Sequence, residues 1–215
     1  MVISDHGFKP FKWGVNINSW LYKEGYLVLK DTDSPGGEWF AGVDWPRTRA
    51  YAYGLTGIFL NVQGREMHGL VEPKKERIAL QNEIKDKLES LWIEKKRPRP
   101  IRRVLLSQKA LKGPYTAEAP DLLVCYEEGF RTSWNSAIGK ITEEIMEDNT
   151  RSWSGDHSID PDLVPGVFFS NRKINDQTPG IEDIAPTLLN LFGLKPHEFH
   201  DGKILELFQD KGERL

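Results

Sequence analysis

The dipeptide Asp-His occurs twice in this chain, each time next to small residues. Ser4-Asp5-His6-Gly7 follows a short apolar run, and Ser154-Gly155-Asp156-His157 precedes another. Carboxylate and imidazole groups are good ligands for zinc and other divalent metals. Asp5, His6 and His157 are therefore candidate metal ligands.

Each stretch also has a simpler structural interpretation. Asp5 can cap a loop with His6 paired to it, and Gly7 frees the backbone to make the turn on which the two side chains converge. Asp156 can hold a plain turn through an Asx-type hydrogen bond. Both interpretations stay open beside the metal-binding ones.

Other residues are weaker candidates for chemistry. His197 and His200 have a spacing that would share one side of a helix, but the surrounding KPHEFHDG makes a helix, and hence a metal site, unfavourable. Cys125 lies within the apolar run DLLVCY, which indicates a small core residue and not a nucleophile. The chain has no G-x-S-x-G elbow and no phosphate-binding glycine motif.

Short apolar runs predict the strands that would carry the candidate ligands. They are rich in Val, Ile, Leu and Phe and lack clean alternation, which is typical of strands buried on both faces of a helix-covered sheet. Asp5 and His6 would then follow a strand at the carboxyl edge of the sheet, where open α/β sheets bind ligands. The predicted strands are Met1–Ser4, Tyr26–Lys30, Gly57–Val62, Asp121–Tyr126 and Gly166–Ser170.

Helical patterns lie between these runs. Leu80, Ile84, Leu88 and Leu91 recur every three or four residues and draw one apolar stripe on a helix. Further helices are predicted at Glu182–Phe192 and, shorter, at Asn16–Tyr22. The aromatic-rich stretch Asp31–Tyr53 is predicted to be an ordered excursion. Strands that alternate with helices predict an α/β layered architecture.

Composition places few limits on function. With 215 residues, the chain is long enough for a single domain, and its one cysteine favours a reducing, cytoplasmic setting. No signal peptide pattern and no membrane-spanning run is expected. The segment from Lys74 to Lys112 contains 13 Lys or Arg and 5 Asp or Glu, whereas the net charge of the whole chain is −3. A solvated helix face is the preferred explanation for this basic segment, with nucleic-acid binding as the alternative.

The residues resemble one known family. SDHGF, followed far downstream by SGDH, looks like the type I phosphodiesterase / nucleotide pyrophosphatase family of the alkaline phosphatase superfamily. Intervening blocks are also similar, among them VDWPRTRAYAYG, GIFLNVQGRE, APDLLVCYEEGFRTSW and IEDIAPTLLNLFG. The likeness runs along essentially the whole chain. Ser158 departs from the pattern, because the family often has glycine directly after the late histidine.

The resemblance implies a hydrolase of phosphodiester or pyrophosphate bonds with two divalent metal ions, zinc first and manganese as a possibility. Asp5 and His6 would ligate one metal and His157 the other. The implied fold is an alkaline-phosphatase-like three-layer α/β/α sandwich. Residues 1–215 would form a single domain that matches the carboxyl-terminal half of a larger phosphodiesterase domain.

In that family the nucleophile and the remaining ligands precede SDHG. No catalytic residue is therefore assigned within this chain, which we expect to bind metal poorly and to be inactive by itself. Its partners would be a phosphoester small molecule, a chain that carries the first half, or a second copy. The alternative function is a non-catalytic remnant that acts as a binding or oligomerisation module.

Overall fold

The computed structural model describes residues 1–31, 36–93, 98–174 and 178–208. Helices and strands are both present, so the predicted α/β class is confirmed at that level. The helices are α1 Ile17–Lys23, α2 Lys75–Glu89, α3 Ser107–Ala110, α4 Trp134–Ala137 and α5 Ile184–Leu191. The strands are β1 Val2–Ile3, β2 Lys9–Val15, β3 Ala50–Tyr53, β4 Gly57–Leu60, β5 Ile101–Leu106, β6 Leu122–Tyr126, β7 Gly129–Thr132, β8 Met146–Asp148, β9 Gly155–Asp156, β10 Phe168–Phe169, β11 Lys173–Ile174 and β12 Leu207–Phe208.

The chain divides into two compact units. Met1–Gly7 joins the residues from Pro165 onward, and we call this the terminal unit; Phe8–Val164 forms the central unit. In the terminal unit, β1 pairs antiparallel with β10, and β11 pairs antiparallel with β12. Asp183, just before α5, accepts hydrogen bonds from the backbone N–H groups of Gly180 and Lys203. This buried carboxylate ties the segment that begins α5 to the segment around Lys203.

The central unit contains a four-stranded antiparallel sheet in the order β3-β4-β6-β5. Helix α2 packs against β5 through the predicted apolar stripe, of which Leu80, Ile84 and Leu88 are buried. Burying a leucine or isoleucine side chain contributes about 1.5–3 kcal/mol. The stripe therefore accounts for the position of α2.

A second sheet of the central unit is centred on β2. It pairs in parallel with β7 and antiparallel with β8, while its first residues pair with β9. Lys9 is the register partner of Asp156, so β9 fixes the backbone just before His157. The apolar core of the chain lies in the central unit, where its members run from Val15 to Val164.

Several predicted elements are confirmed. Four strand predictions each contain an observed strand: Met1–Ser4, Gly57–Val62, Asp121–Tyr126 and Gly166–Ser170. Each of the three helix predictions coincides with an observed helix, namely α1, α2 or α5. Within Asp31–Tyr53 the structure shows two 3₁₀ turns and β3, while residues 32–35 lie outside the described residues. None of the helices in the described ranges has a stretch long and apolar enough to cross a bilayer.

Two predictions about strands are wrong. Tyr26–Lys30 is buried at Tyr26, Leu27 and Leu29 but forms no strand, only an isolated bridge from Leu29 to Val43. Its backbone hydrogen-bonding groups find partners in side chains and turns instead. For example, the Val28 N–H donates to the Thr48 hydroxyl. Strand β1 is not buried on both faces either, because both of its residues are exposed.

Candidate functional site

Asp5 and His6 lie together where β1 ends, in the terminal unit. His6 forms an isolated antiparallel bridge with Pro165, which holds its backbone. Nε2 of His6 lies 3.4 Å from Oδ2 of Asp5, and the carboxylate side chain is 74% exposed against 29% for the imidazole. The structure therefore brings these two predicted ligands together at an accessible surface.

The two ring nitrogens of His6 have different neighbours. Nδ1 lies 3.0 Å from the carbonyl oxygen of Gly7, which can only accept, so a proton on Nδ1 is donated there. Nε2 is the nitrogen on the Asp5 side of the ring. Metal-binding histidines commonly donate their other ring N–H to a backbone carbonyl in this way.

The spacing of the Asp5 and His6 donors suits a small tetrahedral cation. Ligand atoms about 2.0–2.1 Å from a tetrahedral zinc lie about 3.3 Å from one another. The observed Nε2–Oδ2 separation of 3.4 Å is close to that value. This distance matches the separation of two ligand atoms in a zinc coordination sphere.

A pocket of about 280 Å³ adjoins Asp5 within the terminal unit. Ser4 forms part of its wall and is fixed by two hydrogen bonds: its N–H donates to the Val167 carbonyl, and its hydroxyl accepts from the Val167 N–H. Much of the remaining lining is apolar. These apolar residues are Ile3, Pro165, Val167, Phe168, Pro179, Ile181 and Ile184.

His157 lies in the central unit on a turn that Asp156 organises. One carboxylate oxygen of Asp156, Oδ1, accepts the N–H groups of His157 at 2.7 Å and Ser158 at 2.9 Å. This confirms the predicted Asx-type turn. The His157 side chain is 46% exposed and packs edge-to-face against Phe8, with ring centroids 5.6 Å apart. The turn presents the imidazole to solvent while it fixes the backbone beneath.

The other carboxylate oxygen of Asp156 neutralises a buried arginine. Nε of Arg131 lies 2.8 Å from Oδ2 of Asp156, although its N–H does not point along that contact and makes no hydrogen bond. Burial lowers the pKa of the Arg131 guanidinium, and the charge of Asp156 opposes that shift. The sequence did not predict a functional role for Arg131. The one indication of such a role is the position of a charged residue within the apolar and aromatic stretch GFRTSW.

The structure also locates His197 and His200, for which the sequence made a metal site unfavourable. His197 and His200 lie close together in the terminal unit, where Phe199 stacks on the His197 ring and lies tilted against the His200 ring. The His197 N–H donates to Nδ1 of His200, so the two form a local turn. Across the described ranges, no group of three or more His, Cys, Asp or Glu side chains converges as a metal-binding cluster.

The chain matches no protein-family model, no curated protein and no solved structure. Its function is therefore inferred from its own residues and their geometry.

Proposed function

We propose that this chain carries part of the metal-binding apparatus of a hydrolase that cleaves phosphodiester or pyrophosphate bonds. The observation that carries the proposal is the Asp5–His6 pair, with Nε2 facing the carboxylate at 3.4 Å. The SDHG and SGDH motifs support it through their resemblance to the type I phosphodiesterase / nucleotide pyrophosphatase family. The proposal includes the carboxyl-terminal part of an alkaline-phosphatase-like sandwich as the fold and the cytoplasm as the setting.

Each candidate ligand has a separate part in this proposal. Asp5 and His6 hold one divalent ion, zinc or manganese, and His157 belongs to the ligands of a second. Such ions supply Lewis acidity that neutralises phosphoryl charge and activates a hydroxyl nucleophile. The Gly7 carbonyl lies against Nδ1 of His6, which leaves Nε2 on the Asp5 side, and the Asp156 turn fixes the backbone of His157.

The resemblance places the nucleophile and the remaining ligands ahead of Ser4. The proposed turnover therefore belongs to a polypeptide or complex that also supplies them. Residues 1–215 assayed alone are expected to bind zinc weakly and to leave bis(4-nitrophenyl) phosphate intact.

Two measurements test the proposal. Calorimetric zinc titration of the 215-residue chain should show weak binding that Asp5→Ala and His6→Ala each remove. His68→Ala, which alters an exposed histidine elsewhere, should leave that binding unchanged. In a form that turns over bis(4-nitrophenyl) phosphate, Asp5→Ala, His6→Ala and His157→Ala should each abolish the rate. Turnover that survives all three substitutions contradicts the assignment.

A second candidate function, a binding or oligomerisation module, is favoured by the apolar surface of the terminal unit. Phe169, Phe192 and Phe199 are all more than half exposed there, as is Val2 in β1. Large exposed apolar side chains that gather in a patch commonly mark an interaction surface. The occupant we propose is a second copy of the chain, because β1 and β10 form a sheet of only two strands that further strands can extend.

A further inference from the structure

A cavity of about 330 Å³ opens in the central unit, whereas the Asp5–His6 pair belongs to the terminal unit. Its lining comes from β2, β7 and β8, with α4 and the residues that follow β8. Three neighbouring strands therefore hold its walls in fixed register. A volume of this size is at the lower end of the range found for small-molecule sites.

Gly14 forms part of this cavity and keeps it open. A Cβ built at that position would lie 3.1 Å from Cβ of Ser133 and 3.2 Å from Cγ of Glu147. Those separations are tighter than ordinary van der Waals contact. Any larger residue at position 14 would push against both neighbours, so glycine preserves the space between them.

Arg131 lines the cavity from β7 and is only 2% exposed. Its guanidinium lies 4.2 Å from the ring centroid of Trp134 and 5.2 Å from that of Phe11, so aromatic rings position it. Asp156 approaches only the Nε side of the guanidinium, at 2.8 Å, and Nε itself makes no hydrogen bond. Terminal guanidinium nitrogens donate well to carboxylate and phosphate groups.

The remaining charges of the cavity have both signs. Arg151 adds a second positive charge, while Glu147 and Asp148 contribute carboxylates from β8. Glu147 accepts a hydrogen bond from the Asn135 amide, which fixes one of its oxygens. A simple anion would meet two carboxylates here, and a simple cation would meet the buried Arg131. A ligand with one charge of each sign satisfies both groups.

We propose that this cavity binds a small zwitterion, with its phosphate or carboxylate group on Arg131 and Arg151 and its ammonium group on Glu147. The proposal is independent of the metal chemistry of Asp5, His6 and His157. The donors and acceptors on β7, on β8 and just after β8 would select the ligand by the separation of its two charges. Gly14 provides the room for the atoms that join them.

The test is calorimetric titration of the 215-residue chain with matched probes. Phosphoethanolamine carries both charges, whereas ethyl phosphate lacks the ammonium and ethanolamine lacks the phosphate; β-alanine replaces the phosphate with a carboxylate. We expect phosphoethanolamine or β-alanine to bind about tenfold more tightly than either single-charge probe. Which of the two zwitterions binds better identifies the oxyanion.

Variants assign the two ends of the ligand. Arg131→Lys keeps the charge opposite Asp156 but loses the planar fork, and it should weaken binding of both the zwitterion and ethyl phosphate about tenfold. Glu147→Gln should weaken the zwitterion alone. Glu118→Gln, at an exposed position outside the cavity, should change nothing.

Three results would overturn the proposal. One is the absence of zwitterion binding at millimolar concentration. Another is ethyl phosphate or ethanolamine binding as tightly as phosphoethanolamine. The third is Glu147→Gln and Arg151→Gln both leaving the affinity for phosphoethanolamine unchanged, a readout that does not depend on the folding of any Arg131 variant.

Discussion

Arg131 and Asp156 form an ion pair inside the central unit, with Nε 2.8 Å from Oδ2 and both side chains almost sealed from solvent. The pair joins β7 to β9, and Asp156 also holds the turn that carries His157. One carboxylate therefore has two structural tasks, and substitution can separate them.

Asp156→Asn tests the charge of this pair. Asparagine can still accept the N–H groups of His157 and Ser158, but it leaves the Arg131 guanidinium buried without a counter-ion. Removing one partner of a buried pair costs about 3–5 kcal/mol, so we expect a loss of that order in the free energy of unfolding, measured in urea. The exposed pair of Asp162 with Arg103 provides the control. Asp162→Asn should cost less than about 1 kcal/mol; equal losses would contradict this account of Arg131.

The raised pKa of Tyr51 predicts that the protein loses stability at alkaline pH. Burial, with a smaller contribution from Glu66, raises its pKa to about 12, against about 10 in the unfolded chain. Because the unfolded tyrosine releases its proton first, stability from this group is complete below pH about 10 and is lost as pH rises towards about 12. The loss should amount to about 2 kcal/mol, and Tyr51→Phe should remove it from urea unfolding curves across that range.

The matched control for Tyr51 is Tyr115, which is 74% exposed. Tyr115→Phe should leave the alkaline slope of stability as it is in the unsubstituted chain. A slope unaffected by Tyr51→Phe would show that Tyr51 titrates alike in both states.

Cys125 should be inert in the folded protein. It is buried in β6, and burial, reinforced by the nearby charge of Asp160, raises the pKa of its thiol. Ellman's reagent should therefore react at least about two orders of magnitude more slowly in buffer than in urea. A cysteine introduced as Met67→Cys, at a position 93% exposed, should react at once. Rapid reaction of native Cys125 would disprove its assignment as a core residue.

The terminal unit should drive association of the chain. Phe192 is 80% exposed just after α5, and its transfer from water favours contact with another apolar surface. Sedimentation velocity at rising protein concentration should show a dimer or larger species, which Phe192→Ser weakens. Met67→Ser removes an equally exposed apolar side chain from the central unit and should leave the association unchanged. A monomer at all concentrations would count against the oligomerisation function.

Apolar runs in the sequence predicted strand pairing at four of five places, but the runs at β1 and β10 are largely exposed. Runs such as the one at β6 became strands because a neighbouring strand was present to receive their hydrogen bonds. The run at Tyr26–Lys30 is equally buried, yet Thr48 and the turn before β3 satisfy its backbone, a contact over about twenty residues that local pattern does not reveal.

The strands β5 and β7 escaped prediction for the opposite reason. Each contains an arginine, which breaks the apolar pattern. In the fold, Arg103 is neutralised by Asp160 and Arg131 by Asp156, partners far along the chain. The Asp5–His6 pair and the Asp156 turn were predictable because they are local. The cavity around Arg131 was not, since its lining is assembled from three separate segments.

The pairing of Val2 with Phe169 has a consequence for how the protein is made. Strand β1 leaves the ribosome before the central unit, but its partner β10 is synthesised only after that unit. That unit contains the apolar core and can condense while β1 still waits. Closing so long a loop costs conformational entropy and is therefore slow. The pairing of β1 with β10 is expected to be among the last events of folding. Asp5 and His6 follow β1, and they would reach their final place only at that late step.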